Sequence, residues 1–182
     1  GQEFHGWGFT INDEIENLRA AQEHLKIVNL GATAIGTTVT AAPGYPELAV
    51  KNLAELTGID FKNSEDLIAA TSDCGAYMTL SSAIKGLAVK MTKVCNDIRL
   101  LASGPRCGLK EINLPQLQPG SSIMPGKVNP VAAEVANQAS FLAIGLDTTV
   151  MLAASAGQLE LNVMEPVITY ALYTQMKVMT NA

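Results

Sequence analysis

Between Gly120 and Pro130 the chain reads Gly-Ser-Ser-Ile-Met-Pro-Gly-Lys-Val-Asn-Pro. Two adjacent hydroxyls (Ser121, Ser122), one cation (Lys127) and one amide (Asn129) sit among glycines and prolines that exclude regular helix. Hydroxyls can exchange or donate a proton, while a lysine and an asparagine side chain can hold a small carboxylate by charge and hydrogen bond. No other stretch of the chain concentrates so much chemistry around backbone breakers. This is the profile of an active-site loop.

The loop needs a scaffold, and the hydrophobic spacing predicts helices on both sides of it. From Arg106 to Pro130 the glycines and prolines recur too often for regular structure, and a connection that long is uncommon in a compact domain unless it has a function. Before it, Tyr77, Leu80, Ile84, Leu87, Met91, Val94, Ile98 and Leu101 alternate three- and four-residue steps, predicting one helix from about Thr71 to Ser103 with a heptad seam. Beside the seam runs a line of small residues (Ala76, Ala83, Ala88, Cys95, Ala102) that offers a second contact face. After the loop, Pro130 opens a helix with Asn129 as its cap. Val131, Val135, Leu142, Leu146, Thr149, Val150 and Ala153 carry that helix to Gly157. A last helix spans roughly Asn162 to Asn181, with Met164, Met176 and Met179 read as core.

Toward the N-terminus, Thr10 caps a helix whose apolar face is Ile11, Ile15, Leu18, Ala21, Leu25 and Val28 and whose outer face carries Glu14, Glu16, Arg19, Glu23 and Lys26. Gly31 ends it. A short helix follows from Pro46 to Thr57, and Ser64 with Glu65 and Asp66 starts another helical turn. Nothing reads as a sheet.

Composition agrees with an all-α fold. The chain has 182 residues, 48% of them hydrophobic and only 5% aromatic, so the core is built of Ala, Leu, Val, Ile and Met, the palette of packed helices. One domain is the default at this length. A net charge of -5 without a basic run argues against a nucleic-acid partner. No apolar run reaches membrane-span length. The three cysteines Cys74, Cys95 and Cys107 form no CxxC spacing, which argues against a disulfide framework or a zinc site and for a reducing cytoplasm.

The loop, with Asn29 to Thr37 (NLGATAIGT), Glu65 to Tyr77 (EDLIAATSDCGAY), Leu87 to Leu109 and Ala156 to Ile168 (AGQLELNVMEPVI), resembles the aspartase/fumarase superfamily. The flanking words, Asn162 to Ile168 above all, resemble its aspartase branch more than class II fumarase, which tends to carry lysine where Glu165 stands. Thr38-Val39-Thr40 departs from the Gly-Leu-Asn usual there. The resemblance implies that residues 1–182 are the central five-helix-bundle domain of a longer chain, a long-helix bundle that builds a tetrameric core. It implies elimination of ammonia (or, in a fumarase, water) from a small dicarboxylate, without a cofactor or metal, at sites assembled from different subunits. Ser121 is then the base and Ser122 the donor to the carboxylate that becomes an enediolate. Lys127 and Asn129 hold the other carboxylate, and Glu134 supports a histidine from another stretch. Neither His5 nor His24 matches that histidine's motif. A purely structural oligomerisation core is the alternative from another class.

Overall fold

The computed structural model describes Gly1 to Ala182. Its elements in chain order are α1 (Gln2–His24), β1 (Ile27–Val28), α2 (Tyr45–Thr57), β2 (Lys62–Asn63), α3 (Leu67–Ser72), α4 (Gly75–Leu101), α5 (Val131–Ala154) and α6 (Glu165–Asn181). The four long helices form a bundle in which α4 is central, touching α1, α5 and α6, while α5 also packs along α6. The all-α, long-helix architecture expected from the spacing is present.

Several local expectations need correction. Thr10 is not a cap: α1 already begins at Gln2, because Trp7 is buried and its indole Nε1 donates to Asp97 Oδ2 on α4 at 3.2 Å. That anchor is tertiary, so no capping pattern announces it. α1 also stops at His24, and Ile27–Val28 instead pairs in parallel with Lys62–Asn63. A two-residue strand is too short for alternation to reveal. The expected helix from Thr71 to Ser103 is broken. α3 ends at Ser72, Asp73 is extended, and its carboxylate accepts the Gly75 amide at 3.0 Å to open α4. The cap of α3 is Asp66, whose Oδ1 accepts from Ile68 N at 2.9 Å and Ala69 N at 3.0 Å.

The buried faces are set by small residues. On α4 they are Ser81, Ile84, Ala88 and Cys95. On α5 they include Ala136, Ser140, Ala143, Asp147 and Val150. The short ones among them, Ser81 and Ala88 on α4 with Ala136, Ser140 and Ala143 on α5, let two helix backbones approach closely. The expected apolar line of α5 is split: Val150 and Ala153 are buried and Leu146 packs against them, whereas Val135 is 61% and Leu142 49% exposed. Met164 and Met176 are also exposed rather than core. Beyond the small-residue seam, Cys74, Val150, Ala153, Ile168, Ala171 and Leu172 form the apolar cluster that ties α6 to α5 and the start of α4. Cys74 and Cys95 are buried fillers whose thiols burial pushes up, which keeps them protonated and inert.

Several buried polar side chains bridge the helices, although Asn137 Oδ1 and Gln175 Oε1 are left without a partner. Asp147 accepts Ser81 Oγ at 2.7 Å and Lys85 Nζ at 2.5 Å, linking α5 to α4. Gln175 of α6 donates to the Ala143 carbonyl at 2.9 Å. Glu14, expected on the outer face of α1, is only 4% exposed. It pairs with Lys90 of α4 and accepts from Asn17 Nδ2 at 3.2 Å. Gly86 lies beneath it, where a Cβ would come within 2.8 Å of Glu14 Oε2. The close approach explains a glycine in mid-helix despite its cost of about 1 kcal/mol.

The hydrogen bond from Lys90 holds the Glu14 carboxyl below the usual carboxylate range, more strongly than burial raises it. A lowered folded value means that this stabilisation is complete above the ordinary carboxylate pKa, about 4.3, and is lost as pH falls through the lowered value. Glu14→Gln is therefore expected to lower stability by about 1.5 kcal/mol at pH 7. Denaturant melts should show the difference shrinking in acid, below the ordinary carboxylate range. An equal deficit at both pH values would contradict the pairing. A second test concerns Thr38 (φ 58°) and Thr40 (φ 74°), β-branched residues in the left-handed region. Glycine and asparagine, the residues usual there in the family that the sequence resembles, tolerate that region. Thr38→Gly and Thr40→Asn are each expected to stabilise by about 1 kcal/mol; a loss of stability in both would argue against the strain.

Candidate active site

The connection from Ala102 to Pro130 contains no helix or strand and is tied down at both ends. At its start the Lys110 amide donates to the Ser103 carbonyl at 2.8 Å and the Glu111 amide to the Leu101 carbonyl at 2.9 Å, folding the chain back onto the end of α4. At its end Asn129 Nδ2 donates to the Gly120 carbonyl at 3.1 Å. Asn129 is thus not the cap of α5. Pro130 occupies that position, with no side-chain cap, because the asparagine amide is drawn to the loop.

The loop brings four of the five predicted site residues into one closed segment. Ser121 is half-buried, and its Oγ accepts the Ile123 amide at 3.3 Å. An amide donor favours the alkoxide over the neutral hydroxyl. Ser122 and Lys127 are exposed, and Asn129 is half-buried at the loop's base. Glu134 is separate. It lies one turn into α5, where its amide makes the helix's opening bond to the Pro130 carbonyl at 3.0 Å. Its side chain lines a cleft of about 490 Å³ with Leu117, Gln118, Gln138 and Asn181. Carboxylate character in a first turn suits the positive end of the helix.

Two features of the site escaped the sequence pattern. One is an apolar cavity of about 280 Å³ under the loop's base, walled by Met91, Cys95 and Ile98 of α4, Leu117, and Val131 and Ala136 of α5. The other is Gly120, which lies against the Lys127 carbonyl. A glycine before two serines was visible in the sequence, but the contact depends on how the chain returns. Arg106 and Lys110 remain exposed loop charges.

Residues 1–145 match the family model described as lyase. The chain belongs to the lyase family. Lyase relatives align along all of it: the aspartate ammonia-lyase of Escherichia coli K12 is 59% identical over 182 residues, covering 100% of this chain and 38% of the relative. That of Pseudomonas aeruginosa is 54% identical over 183 residues, with 100% and 39% covered. Among solved lyase structures, a fumarate lyase/delta crystallin from Brucella melitensis superposes with a TM-score of 0.93 at 46% identity, covering 100% of this chain and 40% of that one. A class II fumarase from Schistosoma mansoni does so with a TM-score of 0.92 at 32% identity, covering 100% and 41%. The chain spans about two fifths of the length of these relatives. The resemblance to the aspartase/fumarase superfamily therefore extends over the whole chain and is not confined to the loop.

Proposed function

We propose that residues 1–182 are the central helical domain of a longer aspartate ammonia-lyase, which converts L-aspartate to fumarate and ammonia. The observation that carries the reading is identity of 59% over the entire chain with an enzyme of that name. Identity with the class II fumarase is 32% on the same fold, and water elimination is the second reading.

In this reading Ser121, as its alkoxide, takes the proton from the carbon next to one carboxylate. Negative charge moves onto that carboxylate as an enediolate, and Ser122 donates a hydrogen bond to it. Lys127 and Asn129 hold the other carboxylate. The electron pair then forms the carbon-carbon double bond as the amine leaves, giving fumarate. The Ile123 amide supplies one of the donors that the Ser121 alkoxide needs. Further donors and the acid that assists the amine come from other segments, and Glu134 orients a histidine among them.

Those segments belong to other subunits of a homotetramer. Supporting this, large apolar side chains stay exposed on the outer faces of α5 and α6: Phe141 57%, Leu152 59%, Tyr170 67% and Tyr173 67%. Large apolar side chains left exposed on a helical bundle are what a further subunit would cover. The same surface supports the oligomerisation core as a role of this domain within the enzyme. A small dicarboxylate is the partner, with no part for nucleic acid. No helix is long and apolar enough to cross a membrane, and three free thiols suit a reducing cytoplasm.

Ser121→Ala in the full-length enzyme is expected to reduce turnover of L-aspartate by at least about 10³-fold while fumarate binding persists, read by steady-state kinetics and calorimetry. Turnover near the unmodified rate would remove Ser121 from the role of base.

A further inference from the structure

The loop that carries Ser121 is a self-closed ring, and its neck is built from groups outside the proton-transfer step. Met124-Pro125-Gly126-Lys127 forms its tip. The Lys127 amide donates to the Met124 carbonyl at 3.1 Å, with Gly126 at φ 80°. Proline second and a left-handed glycine third are the arrangement of a type II turn. The turn sends the chain back so that Lys127 returns to Gly120. A Cβ on Gly120 would stand 2.3 Å from the Lys127 carbonyl oxygen and 2.8 Å from its carbon. The obstacle is backbone, which a rotamer change cannot move aside. Gly120 is not among the glycines of positive φ, so its requirement is one of space and not of dihedral angle. Across the same neck, Asn129 Nδ2 reaches the Gly120 carbonyl.

We propose that Gly120 is a positioning residue for Ser121 and Ser122, and that Asn129 has a second role as the clamp that holds the neck shut. The proposal rests on the active-site reading of this loop and deepens it. The two strands of the neck differ in anchorage. Lys127 to Asn129 lead directly into α5, whose face is fixed on α4, so they keep their place when the neck opens. Ser121 and Ser122 follow Gly120 on the other strand, which is held by the clamp and by close packing. Opening the neck therefore displaces the proton-transfer side while leaving the cation that holds the far carboxylate near its position. One amide proton of Asn129 serves the clamp. Its other proton and its carbonyl oxygen stay available to substrate.

The test uses the full-length enzyme with Gly120→Ala and, separately, Asn129→Ala, and reads the neck directly by thermolysin cleavage of the Ser122–Ile123 bond, mapped by mass spectrometry; Ile123 is 84% exposed and lies on the strand that opening displaces. Opening a loop exposes it to nicking. Each variant should be cut about 10-fold faster than the unmodified enzyme, the loss of roughly one hydrogen bond's closure, with its thermal midpoint within a few degrees. Gly120→Ala should lower kcat for L-aspartate about 100-fold, the cost of a displacement near 1 Å, with KM changed by less than about 10-fold. Should Gly120→Ala fail to fold, the cleavage rate of Asn129→Ala decides. Unchanged cleavage in the folded variants overturns the closed neck even if activity is lost. Faster cleavage with kcat intact overturns the positioning role. If the unmodified enzyme does not turn over aspartate, the proposed reaction fails, and the cleavage rates still judge the neck.

Discussion

The close approach of α4 and α5 is the constraint from which the rest follows. Ala88, Ser81, Ser140 and Ala143 are fully buried between them, and only side chains of that size let two helices lie so near each other. A seam of small residues is slippery in register, since alanine and serine present similar shapes at each turn. Asp147 resolves the ambiguity by accepting from Ser81 and Lys85. A partly buried ion pair is weak evidence for stability, but it penalises any shifted register that would leave the carboxylate unpaired. Because α5 begins where the loop ends, fixing α5 on α4 also fixes Lys127 to Asn129.

The same constraint explains why large apolar residues lie outside. A helix that spends one face on small residues carries much of its large apolar side chains on others, and on α5 Val135, Phe141, Leu142 and Leu152 stay exposed. Such a helix is hydrophobic on more than one side, the mark of an element with neighbours on both. The proposed homotetramer supplies the second neighbour, and the incomplete environment of Ser121 fits that picture. One amide donor reaches it within the chain, fewer than a serine acting as base requires.

The helices were legible because three- and four-residue spacing is a local property that survives folding. Their ends were less so. α1 starts at Gln2 because Trp7 reaches Asp97 on a helix far along the chain, and Glu14 is buried because Lys90 and Gly86 make room for it. Neither follows from spacing. The inward face of α5 is legible at Val150 and Ala153 but not at Val135 and Leu142, because apolar spacing marks faces that avoid water and cannot separate the intramolecular face from one left exposed by this chain. The candidate site is legible as a cluster, since four of the proposed residues fall within one loop. Its internal wiring is not. Asn129 reads as a cap by position, whereas the structure gives its amide to Gly120, and only the returning backbone makes that partner available.

The central claim is that the loop on this bundle serves elimination of ammonia from aspartate. The most direct measurement is the ultraviolet absorbance of fumarate formed by the full-length enzyme from L-aspartate and, in parallel, from L-malate. Fumarate from aspartate with none from malate is the predicted result. Fumarate from malate alone would contradict the account and assign the enzyme to the fumarase branch.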